Sequence, residues 1–265
     1  MICELLCTGW YSSGENRTYQ TFGDEFIRSR DFRPLWWKSV DTFIQPRHVL
    51  VVDSASPVKP NDSILTNTDC KYIELLNNPG HSQNCKAHYC GYMASVILGI
   101  EYALNNDIDI FLYVEQDALV FGEDIYASIV KKLTKKNFVF GNGGRFQDIE
   151  QSVFALNKKG MRQFIAALHS INYTDRQIQP EFKFMYAASK INNLPLIGLM
   201  SWDNTKYVRR LSTLLFQRVI HILKNYELLS FGYGRLRPIN FDDPMFYFQQ
   251  ASMEELRIYR NLTGF

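Results

Sequence analysis

The stretch Ile108 to Gly122, IDIFLYVEQDALVFG, constrains this chain more than any other. It reads as a buried strand, Asp109 to Val114, running directly into Glu115-Gln116-Asp117 and then an apolar wall from Ala118 to Phe121. A strand covered on both faces is a continuous apolar run, and the carboxyl ends of such strands are where open α/β sheets hold ligands. Side chains alternate with period two, so Glu115 and Asp117 leave the strand on the same side. Two carboxylates so placed suit a hard divalent cation, Mn2+ or Mg2+, whose oxygen shell is completed by substrate phosphates. A strand that merely ends in turn-forming polar residues fits the triplet equally well.

The same strand-then-turn pattern recurs upstream. Ile2 to Thr8, His48 to Val52 and Lys71 to Leu76 read as strands, with Gly9 read as a sharp turn after the first. Pro34 opens a helix, Leu35 to Ile44, which Pro46 stops, and a short helix is expected over Asp24 to Ser29. Tyr92, Ser95, Val96, Gly99, Ile100 and Ala103 share one face of a further helix at i, i+3, i+4 spacing. This order predicts a mainly parallel sheet with helices on both faces. After about Phe138 the alternation loosens. Strands are expected over Phe138 to Phe140, Ser152 to Asn157 and Leu194 to Met200, and helices over Glu123 to Lys135, Lys159 to Ser170, Phe182 to Lys190, Tyr207 to Tyr226 and Met253 to Arg260. No repeat or low-complexity linker marks a boundary, so the 265 residues are read as one α/β domain.

Composition removes several function classes. With 29 Lys+Arg against 27 Asp+Glu the chain lacks the basic footprint of a nucleic-acid binder. Its five cysteines form no CxxC pair and no zinc spacing, so reduced thiols are expected rather than a disulfide framework. Met1 leads almost at once into a strand-like run, without the regions of a signal peptide, and no apolar run reaches spanning length. A cytoplasmic protein is therefore expected, and the four sequons at Asn16, Asn61, Asn172 and Asn261 are read as chance. The helix from Tyr207 is amphipathic, with Leu211, Leu214, Leu215, Val219 and Leu223 on one face and Arg210, Gln217, His221 and Lys224 on the other. Packing against the sheet explains that pattern, and so does peripheral contact with an anionic membrane carrying a lipid-linked acceptor.

Three consecutive strand ends carry a resemblance. Val51-Val52-Asp53-Ser54-Ala55-Ser56, then Leu76-Asn77-Asn78-Pro79-Gly80, then Tyr113-Val114-Glu115-Gln116-Asp117 resemble the amino-terminal half of GT-A fold glycosyltransferases. The likeness is to the family-two-like inverting enzymes, with their Asp-rich turn, Asn-x-Gly turn and DxD motif, and it covers roughly Ile2 to Phe121. It implies a GT-A (Rossmann-like) sheet with a nucleotide-sugar-binding half, residues 1–122, and an acceptor-binding half, residues 123–265.

Carried over, the resemblance makes Asp53 the carboxylate that accepts a hydrogen bond from the donor base. Asp117 becomes the metal ligand at the last position of a DxD-like motif. Glu115 stands at the first position, where it contacts ribose or metal, although Glu is one methylene longer than the Asp of the pattern. Thr8, Asn78 and Gln116 join the substrate-binding candidates at the strand ends. Glu181, just before a helix, is the expected general base for the acceptor hydroxyl, with Asp148 the second choice. A helix-start glutamate also serves simply as a dipole partner. Arg235 and Arg237 in the loop-like segment Ser230 to Asn240 are candidates to close over a diphosphate, since guanidinium forks match phosphate geometry. Trp202 is a candidate to stack on a sugar. His169, Asp203 and His221 are the candidates for a further metal ligand. The implied reaction moves a hexosyl or pentosyl group from a UDP- or GDP-sugar to a hydroxyl of a glycan or lipid-linked acceptor, with inversion.

Two rivals remain at this point. A sugar-phosphate nucleotidylyltransferase shares a related architecture but carries a basic Gly-rich segment after its first strand, and Thr8-Gly9-Trp10-Tyr11-Ser12-Ser13-Gly14 lacks that basic content. A catalytically silent nucleotide- or glycan-binding scaffold is the other. No P-loop, GxGxxG, HExxH or GxSxG segment occurs, which sets aside kinase, dehydrogenase, metalloprotease and hydrolase readings.

Overall fold

The computed structural model describes residues 2–14, 23–60, 68–144, 149–192, 195–201 and 203–265. The chain starts in the middle of a sheet and builds outward. Strand β1 (Cys3–Trp10) is flanked on one side by β2 (Pro46–Asp53) and then β3 (Asp69–Glu74), all parallel. Helix α1 (Arg33–Phe43) makes the first crossover, with a Pro in its first turn where the missing N–H costs nothing. Helix α2 (Gly91–Asn105) then carries the chain back across β1, so that β4 (Ile110–Val114) pairs in parallel on its other side. Beyond β4 the sheet changes character. Strand β7 (Glu150–Asn157) runs antiparallel to β4, β6 (Phe138–Gly141) pairs antiparallel with β7, and β8 (Tyr226–Leu228) closes the row parallel to β6. The full order is β3-β2-β1-β4-β7-β6-β8, mainly parallel, as expected.

Period-two alternation divides the core into two layers. Leu50 and Val52 with Phe111 and Tyr113 face one helical layer, formed by α2, α4 (Lys158–His169), α5 (Pro180–Ala187) and α6 (Lys206–Leu223). Their neighbours Val49, Val51, Leu112 and Val114 face the other, formed by α1, α3 (Ile125–Leu133) and α7 (Met253–Thr263). Because both faces are covered, the central strands carry apolar runs such as Val49–Val52 and Phe111–Val114, which makes them readable. All five cysteines are free thiols; burial pushes Cys3, Cys7 and Cys90 well above the ordinary thiol range. Among the described residues no helix is long and apolar enough to cross a membrane.

The structure corrects several expectations. Gly9 is not a turn: β1 continues to Trp10, and a Cβ at Gly9 would come within 2.9 Å of Ser95 Oγ and 3.1 Å of the Tyr113 hydroxyl. The residue is there to let α2 approach the strand. Ala118–Phe121 is not a pocket wall but strand β5, paired antiparallel with β9 (Phe246–Gln249), which was not anticipated. Pro195–Met200 forms a 3-10 helix packed on α6 rather than a strand. A short apolar run has no periodicity that separates the two, and proline's fixed φ suits the helical start. The helix expected to reach Tyr226 ends at Leu223, leaving Tyr226 to open β8.

Candidate active site

In an open sheet of this type, ligands bind outside the carboxyl ends of the strands where the winding order reverses. Here that point lies between β1 and β4, since the chain goes from β1 to β2 in one direction and returns to place β4 in the other. The tip of β4 is the acidic triplet. Its backbone is pinned on several sides: Glu115 N donates to Ser152 O at 2.7 Å, Trp36 Nε1 donates to Glu115 O at 2.9 Å, and Ala118 N donates to the same oxygen at 3.0 Å. Gln116 straps this tip to its neighbour. Its Oε1 accepts from Tyr11 N at 2.7 Å and its Nε2 donates to Tyr11 O at 3.1 Å, just past the end of β1. The side chain expected to touch substrate is thus spent on holding two strand ends together.

Glu115 and Asp117 remain as the functional groups of the tip, the first half-buried and the second buried. Burial, then the Asp117 carboxylate, hold the Glu115 carboxyl up at about 8; Arg235 opposes them, and Glu150 and Glu181 push the same way. Glu181 sits in the first turn of α5, half-buried, close enough for its charge to act on both Glu115 and the half-buried Tyr92. Arg235 is exposed and acts on both Glu115 and Glu150. Glu115, at the end of β4, thus feels the charges of Asp117, Glu150, Glu181 and Arg235.

Glu150 was not singled out from sequence. It is the first residue of β7, and because β7 runs antiparallel to β4, this first residue meets the last turn of β4. Its Oε1 accepts from Ser152 N at 3.0 Å and Gln249 Nε2 at 3.1 Å, and its Oε2 from Ser152 Oγ at 2.6 Å. Burial raises its carboxyl while the Ser152 bonds and Arg235 lower it. Gly234 closes over it with φ +52, where an added Cβ would lie 2.5 Å from Glu150 Cγ. The available signal was an acidic residue just ahead of the apolar run Val153 to Leu156.

The other expected residues fall at varied distances from this cluster. Asp53 ends β2 in register with Trp10 of β1, is buried, and accepts from Ser56 N (2.8 Å) and Lys59 Nζ (2.7 Å). Lys59 also pairs with Glu74, so a nucleobase reaching Asp53 would share it with an ammonium. Thr8 is fully buried inside β1, its hydroxyl donating to Gly9 O at 3.3 Å. Asn78 is half-buried between β3 and α2, with its Oδ1 accepting from Gly80 N at 2.8 Å. Arg237 is occupied elsewhere: it donates to Gln249 O at 2.8 Å and pairs with Glu255, fastening the loop to α7. Asp148 and Trp202 lie outside the described residues. Asp203 accepts from Gln177 Nε2 at 2.6 Å, and His169 and His221 are exposed on α4 and α6.

Among the described residues, no set of three His, Cys, Asp or Glu side chains is arranged to hold a metal ion. An all-protein cage is not what this tip offers. The donor set does fit a hard cation that takes one or two carboxylates and finds its remaining oxygens on a ligand, because Glu115 and Asp117 crowd negative charge that a cation would relieve. Two surface hollows of about 390 and 630 Å³ lie elsewhere, along α7 and beside the end of α4, and share no residue with the cluster.

No family model and no curated protein matches the chain. Among solved structures, the chain is similar to an inositol-1-phosphate CTP transferase from T. maritima, with 12% identity, TM-score 0.49, and 99% of this chain and 96% of that one covered. It is similar also to a glycosyltransferase involved in the glycosylation of the major capsid of PBCV-1, with 10% identity, TM-score 0.47 and coverage of 99% and 100%. A third likeness is to 4-diphosphocytidyl-2C-methyl-D-erythritol synthase from Anaerococcus prevotii, at 11% identity, TM-score 0.41 and 86% of both chains. At these values the fold assignment rests on the strand order itself.

Proposed function

We propose that the chain is a metal-dependent, family-two-like glycosyltransferase that moves a sugar from a nucleotide-diphosphate donor to a hydroxyl of a glycan or lipid-linked acceptor, with inversion. The observation that carries this reading is the carboxylate pair at the switch point of the sheet, with Glu115 held up at about 8 by burial and by Asp117. A site that crowds two carboxyl groups at a ligand edge is built to receive a cation or to hold a proton.

Asp117 and Glu115 would hold Mn2+ or Mg2+, which when bound supplies Lewis-acid neutralisation of the departing diphosphate. Arg235, exposed beside the cluster, would orient the phosphates. Glu181, in the first turn of α5, would take the proton from the acceptor oxygen. Asp53, with Lys59 on its second oxygen, would meet the base at the neighbouring strand end.

The test is a thermal-shift and calorimetric titration of UDP, GDP and CTP with and without Mn2+, on the wild type and on Asp117→Asn. Stabilisation by a nucleoside diphosphate only with metal, weakened roughly a hundredfold or more in the variant, is expected. Nucleotide binding that ignores both the metal and the substitution would refute the reading. A response confined to CTP with a sugar phosphate would replace it with the nucleotidylyltransferase.

A further inference from the structure

Helix α6 turns a different face inward from the one its hydrophobic residues predict. Thr205 caps it, its Oγ1 accepting from Val208 N, and Ser212, Phe216 and Ile220 form the buried side. The Phe216 ring meets Phe182 of α5 edge-on at 6.2 Å between centroids, next to Glu181. The opposite side carries large apolar groups into solvent: Tyr207 is 79% exposed, Ile222 78%, and Leu211, Leu214 and Leu215 50 to 54%. At 1.5 Å per residue this stripe runs roughly 22 Å. Leaving five such side chains in water forfeits the transfer free energy that burial would return, so a covering surface is expected.

Charge identifies the cover. Between Lys206 and Lys224 there is no Asp or Glu, while Lys206, Arg210 and Arg218 are exposed on or beside the apolar stripe. A second copy of the chain would bring cations against cations. An anionic bilayer complements both components, since leucines enter the acyl boundary while basic side chains pair with phosphate headgroups. We infer that the outward face of α6 docks the protein on an anionic lipid surface. Through the Phe182–Phe216 contact on the inward side of α6, α5 and Glu181 would then lie about one helix diameter, roughly 10 Å, from the membrane. Lipid docking by α6 stands independently of the transferase reading.

The experiment is co-sedimentation of the full chain with vesicles of phosphatidylcholine alone or mixed with phosphatidylglycerol, at low and high salt. Partition onto the anionic vesicles is expected to exceed that onto neutral ones by roughly tenfold and to fall with salt. Leu211→Ser combined with Leu215→Ser should reduce partition by about tenfold or more while the circular dichroism spectrum and the metal-dependent nucleotide response stay unchanged. Arg210→Gln with Arg218→Gln, which leaves the apolar stripe intact, should erase the preference for anionic vesicles. Absence of binding to either vesicle, equal binding by the leucine variant, or a wild-type dimer in light scattering that the leucine variant dissolves would overturn the inference.

Discussion

Two buried polar regions of this protein differ in how their charge is answered. Asp175 and Lys183 are both fully buried, yet each is answered locally: Lys183 Nζ donates to Asp175 Oδ1 at 2.7 Å and to Tyr173 O at 2.6 Å, and lies 5.5 Å from the Tyr89 ring centroid. The second oxygen of Asp175 accepts from Cys90 N at 2.7 Å, at the start of α2. The tip of β4 shows the reverse: Asp117, Glu150 and Glu181 all push the Glu115 carboxyl up, and the exposed Arg235 opposes them. A closed pair secures packing. Like charges crowded at a sheet edge hold free energy in reserve for a ligand that neutralises them.

Three substitutions test that contrast, beginning with the largest effect. Lys183→Met leaves the Asp175 carboxylate buried without its cation and should cost about 3–5 kcal/mol in denaturant unfolding, with no direct effect on nucleotide affinity in the folded fraction. A loss below about 1 kcal/mol would mean that the pair is not the structural element described. Glu115→Gln should act in the opposite sense. The Glu115 carboxyl is raised in the folded chain, so its contribution to stability is full below its unfolded value near 4.5 and is lost as pH rises through about 8. The Gln variant should therefore exceed the wild type by about 2 kcal/mol near pH 9 and match it near pH 5, and a pH-independent difference would remove the electrostatic account. The same proton competes with a cation, so wild-type Mn2+ affinity should climb as pH rises toward 8. The smallest effect belongs to Gln116→Ala, which deletes the strap to Tyr11 and should cost about 1–2 kcal/mol. If unfolding is unchanged in that variant, the two strand ends are held together by β-pairing alone.

Legibility in the sequence followed the burial of the sheet. Strands β1, β2 and β4 announce themselves because both faces are covered and their central residues are mainly apolar, and α2 because its inward residues keep helical spacing. The elements that escaped depend on distant partners. Strand β5 becomes a strand only when Phe246–Gln249 arrives from the far end of the chain, and β8 only beside β6. Local propensity carries no record of such pairings. At the candidate site the acidic tip and Glu181 were legible as residue types in order, and the structure brings them together. Glu150 was not, because nothing in a single sequence tells which strand will lie next to β4 or in which direction. Gln116 and Asp53 looked free to meet a ligand, yet their partners, the Tyr11 backbone and Lys59, are set by the tertiary arrangement.

The reversed direction of β7 has a practical corollary. A parallel neighbour would present its final residue at the ligand edge and owe its position to a crossover helix. An antiparallel one presents its opening residue, Glu150, which belongs to the connection arriving from β6. Redesign of the cluster can thus work at Glu150 itself while the β1–β2–β3 scaffold, and the donor recognition proposed for it, is left untouched.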